Sequence, residues 1–160
     1  MPTDLRLRDA VPGDEALLLR FVFELAEYER LTHLVQATEE RLREYVFGPR
    51  PYLEALIAER TGAPIGFATW HFPFRTFACR PTLYVEDIYV QPAQRGGGVG
   101  MAIFRDLARR ALARGCDRMD WSVLHDNAPA LAFYRRLGAR TVDDWGVQRL
   151  SGAQLAALAE

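Results

Sequence analysis

Tyr84-Val85-Glu86-Asp87-Ile88-Tyr89-Val90, then Gln91 to Gln94, then Arg95-Gly96-Gly97-Gly98-Val99-Gly100, is the stretch that decides how this chain folds. Thr82 to Val90 is rich in Val, Ile and Tyr, residues that fit a pleated surface, and it is the clearest strand in the sequence. Gln91 to Gly97 is rich in turn formers. From about Gly98 to Arg114 apolar residues recur at helical spacing through Ile103, Leu107 and Ala111, and Gly115 stops the run. A strand thus enters a helix through a loop with four glycines in five positions. Bare backbone at a helix start lets several N–H groups converge on one anion, and the positive helix end adds to the attraction. The ligand this favours is a phosphate or a diphosphate. The dinucleotide pattern G-x-G-x-x-G fails on spacing, because its third position falls on Met101 counted from Gly96 and on Ile103 counted from Gly98. A purely structural glycine-rich turn is the alternative for the loop taken alone.

Outward from this segment the pattern continues. Leu5 and Leu7 alternate with Arg6 and Arg8 as in a short strand. Glu15 to about Leu31 carries Leu18, Phe21, Val22, Leu25 and Ala26 at helical spacing, and Thr38 starts a second helix to about Val46. Tyr52 to Arg60 fits helix or strand by composition. The short turn Thr61-Gly62-Ala63-Pro64 joins it to the aromatic run Ile65 to Phe72, so the pair reads as a hairpin. Met119 to Leu124 reads as a strand. Asn127 caps a helix through Ala130 to Leu137, ended by Gly138. Arg140 to Val142 and Trp145 to Leu150 read as two last strands, and Ser151 caps a short final helix. The expected order is β-α-α-β-β-β-α-β-α-β-β, a mixed α/β fold.

Composition narrows the function. The 160 residues suit one domain, expected over 1–160, and the sequence shows no repeat or linker. Twenty basic against 21 acidic residues give a net charge of −1, which argues against a protein that coats nucleic acid or an anionic membrane. All 20 basic residues are arginine. A P-loop lysine and a Schiff-base lysine are therefore both excluded. Cys79 and Cys116 are too few for a disulfide scaffold. Met1-Pro2-Thr3-Asp4 is unlike a signal peptide, and no apolar run approaches the roughly 20 residues that span a bilayer, so a cytoplasmic location is expected. Ser122 and Ser151 lie outside any G-x-S-x-G elbow, and His33, His71 and His125 are too scattered for a metal site, so no metal is expected.

Arg95-Gly96-Gly97-Gly98-Val99-Gly100 resembles the [RQ]-x-x-G-x-[GA] signature of the Gcn5-related (GNAT) N-acetyltransferases. Asn127-Ala128-Pro129-Ala130-Leu131-Ala132-Phe133-Tyr134-Arg135-Arg136-Leu137-Gly138-Ala139 is similar to the family's second signature, N-x-x-[AS]-x-x-x-Y-x-x-x-G-[FA], roughly 30 residues on. Leu25-Ala26-Glu27-Tyr28-Glu29, the strand 84–90 and the Trp145-Gly146 turn extend the likeness to the diamine (spermidine/spermine) and thialysine branch. The resemblance implies a mostly antiparallel twisted sheet flanked by helices, with acetyl-CoA as cosubstrate. It implies that Ile88, Val90, Arg95, Gly96, Gly97, Gly98, Val99, Gly100, Met101, Asn127 and Tyr134 form the CoA site. It also implies a small-molecule amine as acceptor, and a homodimer.

An amine with a pKa near 10 is cationic at neutral pH and must lose a proton before it attacks. The resemblance makes Glu86 a base acting through water and Tyr134 the acid for the leaving thiolate, with Tyr28, Glu29, Glu86 and Asp87 around the amine. A carboxylate in an apolar strand is costly without a purpose, although an ion pair would also account for Glu86. Adjacent strand residues point to opposite faces, so without a bulge only one of Glu86 and Asp87 meets the cleft, and Glu86 is assigned to it. A bulge after Glu86-Asp87 would release the N–H of Ile88 toward the thioester oxygen. Arg135 and Arg136 read as a solvated helix face. Arg75 and Arg80 would repel a long polycation, and an arginine here would suit a substrate carboxylate. A lysine-analogue amine is therefore favoured, with diamines open. A non-catalytic CoA sensor on the same fold is the competing class.

Overall fold

The computed structural model describes residues 4–144 and 146–159. These fall into two compact units, one ending at Ser122 and one beginning at Val123.

The first unit is built on a five-stranded sheet in the order β1-β2-β3-β6-β7, where β1 is Leu5–Asp9, β2 Glu54–Arg60, β3 Ala63–His71, β6 Leu83–Val90 and β7 Met119–Trp121. All pairings are antiparallel except β6 with β7. Helix α1 spans Glu15–Glu29, α2 Glu39–Phe47 and α3 Val99–Ala113. A small hairpin of β4, Phe74–Arg75, and β5, Arg80–Pro81, leaves the sheet between β3 and β6.

Two cores cover the two sheet faces. On one, Val99, Ile103, Leu107 and Ala111 of α3 pack on Leu56, Ala58, Trp70, Leu83 and Val85. On the other, Leu18 and Phe21 of α1 and Val46 of α2 pack on Ala55, Ile57, Phe67 and Tyr89. The rings of Phe21 and Phe67 stack at 5.6 Å, an arrangement that contributes about 1 kcal/mol beyond burial. A strand covered on both faces reads as a continuous apolar run. That is why composition alone leaves Tyr52 to Arg60 ambiguous, and why Leu56, Ile57 and Ala58 are all fully buried.

Local signals hold at several element ends. Thr38 caps α2, its Oγ1 accepting from the Arg41 amide at 3.2 Å. Helix α1 ends two residues before the expected Leu31. Arg30 adopts a left-handed φ of 61°, and the Leu31 amide reaches back to the Ala26 carbonyl at 2.8 Å. This is a Schellman-type closure made without glycine, so no glycine marks it in the sequence.

In the second unit α4 spans Ala128–Arg136 and α5 Gly152–Leu158. Asn127 caps α4 as expected, its Oδ1 accepting from the Ala130 amide at 3.3 Å. The two last strands expected at Arg140–Val142 and Trp145–Leu150 are absent among the described residues, and Trp145 lies outside them. Asp143-Asp144 and Gly146 interrupt the run with residues that strands disfavour, and Val142 and Val147 are exposed rather than set on a buried face. Among the described residues no helix is long and apolar enough to cross a membrane.

Candidate active site

The site starts from a bulge in β6. Thr69 pairs with Asp87 but the next β3 residue, Trp70, pairs with Val85, so Glu86 is the extra residue. The expected bulge after Glu86-Asp87 therefore sits one position earlier, on Glu86 itself. An extra residue reverses the alternation of faces beyond it. Leu83 and Val85 belong to the α3 core, and after the bulge Ile88 and Val90 pack there while Tyr89 joins the α1 core.

With the bulge, strict alternation no longer sets Glu86 and Asp87 on opposite faces. Asp87 shares its face with Thr69, whose hydroxyl donates to Oδ2 at 3.1 Å. Burial pushes its carboxyl up to about 6, the Thr69 bond opposes the shift, and the negative charges of Glu86 and Glu29 add to it. Burial also pushes Glu29, near the end of α1, upward. The charges of a carboxylate on β6 and another on α1 thus act on Asp87. Glu86 is half-exposed, and its Oε2 lies 3.5 Å from His71 Nε2. His71 in turn lies against Tyr84, with ring centres 5.2 Å apart, and the Tyr84 hydroxyl sits 2.7 Å from Ser122 Oγ.

Beside the bulge, β6 has an open edge. Its pairing with β7 covers only Leu83, Tyr84 and Val85. The Gln91 amide donates to Ile65 of β3 at 2.9 Å. Alternation along an antiparallel strand then turns the amides of Ile88 and Val90 away from β3, toward the side that β7 does not reach. The bulge is not where it was expected, yet the Ile88 N–H does face the open edge.

The glycine loop follows directly. Gly96 and Gly98 adopt φ of 78° and 79°, and a Cβ on either would meet nothing within 4 Å. Glycine is required there for conformation and not for space. Gly98 is the cap of α3, no side chain caps that terminus, and the first turn carries no acidic residue. Its amides are left for an external acceptor. The side chain of Val99 is buried in the α3 core, so only its backbone can serve a ligand, as can that of Gly100 and Met101. This donor set fits a diphosphate. Gly98→Ala is expected to cost about 1–2 kcal/mol of stability, the penalty of a left-handed non-glycine residue, as read from denaturant midpoints.

Arg95 is held over the site. Its Nε donates to the Val90 carbonyl at 2.9 Å, and its guanidinium lies 4.2 Å from the ring centre of Tyr28 and 5.7 Å from that of Tyr89. Tyr28, expected beside the amine, is thus a cation–π partner of the loop arginine. Arg75 is committed elsewhere. Its Nε donates to Thr82 Oγ1 at 2.8 Å and its Nη2 pairs with Asp117, which removes it as a free group for a substrate carboxylate. Arg80 pairs with Arg75 across the β4–β5 hairpin. In the second unit Tyr134 lies on α4, its ring centre 5.7 Å from that of Phe133, and its carbonyl accepts from the Ala139 amide at 3.1 Å. Arg136 stands over the Phe133 ring at 5.8 Å.

The model of the acetyltransferase (GNAT) family matches residues 19–139. The chain is 37% identical over 164 residues to the thialysine N-epsilon-acetyltransferase of Bos taurus, covering 96% of each. It is 26% identical to the L-ornithine N5-acetyltransferase of Arabidopsis thaliana, across 96% of this chain and 87% of the relative. Among solved structures, an integron cassette protein from the mobile metagenome of V. cholerae superposes with a TM-score of 0.81 at 26% identity, covering 99% of both chains.

Proposed function

From the premise that this chain belongs to the acetyltransferase (GNAT) family and is an acetyltransferase, we propose that it acetylates the primary side-chain amine of a small, lysine-like amino acid. Family members take the acetyl group from acetyl-CoA, which supplies an activated thioester when bound. The observation that carries the substrate class is the acidic cluster of Glu29, Glu86 and Asp87 beside the open edge of β6. A cationic amine relieves the mutual repulsion of such a cluster.

In this reading Asp87 and Glu29 hold the ammonium. Glu86 takes its proton through a water and holds it on the carboxyl beside His71 Nε2. The amides of Ile88 and Val90 face the thioester, and those of Gly96 to Met101, with Arg95, take the diphosphate. By the family resemblance Asn127 and Tyr134 keep their expected parts in the chemistry, Tyr134 as the acid that returns a proton to the thiolate. The family match runs across both units and supports that role. The same resemblance is what supports a homodimeric enzyme.

Relatives named for thialysine and L-ornithine support an amino-acid acceptor. With Arg75 paired to Asp117, recognition rests on the ammonium and the acidic cluster. The test is thiol release from acetyl-CoA across an amine panel. Turnover of lysine analogues is expected. Turnover of spermidine with none of any carboxylated amine overturns the proposal.

A further inference from the structure

Arg60 ends β2, far in sequence from the glycine loop, yet its guanidinium is packed against that loop. Its Nη1 donates to Gln94 Oε1 at 2.5 Å. A Cβ placed on Gly97 would lie 3.2 Å from Arg60 Nη2 and 3.5 Å from Nη1. Gly97, unlike Gly96 and Gly98, has no left-handed φ. Its lack of a side chain is therefore explained by the arginine and not by conformation. The Arg60 Nε is fully enclosed and has no hydrogen-bond partner among the described residues, with the Asp4 carboxylate at a loose 3.7 Å. A guanidinium with an enclosed, unpaired donor is costly, and one close to a set of anion-binding amides raises the local positive potential.

We propose that Arg60 is a positioning residue for the diphosphate loop, fixing its turn through Gln94 and Gly97 and placing a full positive charge behind its amides. This rests on the reading that the loop takes the diphosphate of CoA. Gly97 is bare so that the guanidinium can sit against the loop. A lysine keeps the charge but has one point donor in place of the planar fork, so it restores only part of the effect.

Calorimetric titration with CoA tests this on the full chain, with thermal melting to confirm that each variant folds. Arg60→Met is expected to raise the Kd for CoA about tenfold, and Arg60→Lys to fall between it and the wild type. Gly97→Ala is expected to raise the Kd several-fold in the wild type and by a clearly smaller factor in an Arg60→Ser background, where the guanidinium no longer meets the methyl group. A folded Arg60→Met variant that binds CoA within twofold of the wild type overturns the inference. So does a Gly97→Ala penalty of equal size in both backgrounds. Should Arg60→Met fail to fold, Gly97→Ala alone decides: unchanged CoA affinity overturns the inference. Wild-type protein that gives no heat with CoA overturns the loop reading instead.

Discussion

Glu86→Gln is expected to lower kcat by about 10²–10⁴-fold at pH 7, the usual worth of a positioned general base. The substitution is nearly isosteric and leaves the bulge in place, because the register on β3 is set by the backbone of Thr69, Trp70, Val85 and Asp87. What it removes is the only proton acceptor on the bulged residue and the partner of His71 Nε2. The defect carries its own signature. An amine of pKa near 10 supplies about tenfold more neutral nucleophile per pH unit between 7 and 9. If Glu86 acts by taking the ammonium proton, the gap between variant and wild type closes as pH rises. Steady-state rates from pH 7 to 9.5 check this. A loss under tenfold, or a loss that stays constant with pH, removes Glu86 from the role of base.

Asp87→Asn is expected to stabilise the fold at pH 7 by as much as about 3 kcal/mol. Burial lifts the Asp87 carboxyl from its usual 3.8 to about 6, and each pH unit of that shift corresponds to about 1.4 kcal/mol. Below pH 4 both folded and unfolded chains hold the proton, and the carboxyl has no effect on stability. Between pH 4 and 6 the unfolded chain releases it and the folded chain keeps it, so stability falls as pH rises. Above pH 6 the folded chain bears the full cost of a buried negative charge. Asparagine never ionises and still accepts from Thr69. Denaturant unfolding of both proteins from pH 3.5 to 8 should therefore show a difference that opens between pH 4 and 6 and is flat above. The same variant is expected to raise the KM for the amine about tenfold, since it removes a charge that the ammonium neutralises. A difference in stability that ignores pH would show that Asp87 is not held in this state.

In the proposed reading the bulge lets two neighbouring carboxylates serve one site. In a regular strand Glu86 and Asp87 would face opposite ways. With Glu86 extra to the ladder, Asp87 joins the α1 face beside Glu29. Burial of the Asp87 charge is costly for the apo protein, and in the proposed reading a cationic substrate offsets that cost.

The site was legible in the sequence wherever local rules governed it. Glycine freedom at Gly96 and Gly98, the helical repeat of Ile103, Leu107 and Ala111, the β-rich run to Val90 and the Asn127 cap each depend on a few neighbouring residues. Together they determined the strand–loop–helix, its bare amides at the helix start and the resemblance to an acetyltransferase. Tertiary structure alone decided the rest. The position of the bulge depends on how β3 registers against β6, a choice made across a gap in sequence and settled by burial on both faces. The capture of Arg75 by Asp117, the seating of Arg95 on Tyr28 and the packing of Arg60 against Gly97 join residues 34 or more apart. Periodicity and propensity describe what a segment prefers. They do not say which distant segment it will meet, because that depends on the sum of many small burial and pairing energies over the whole fold.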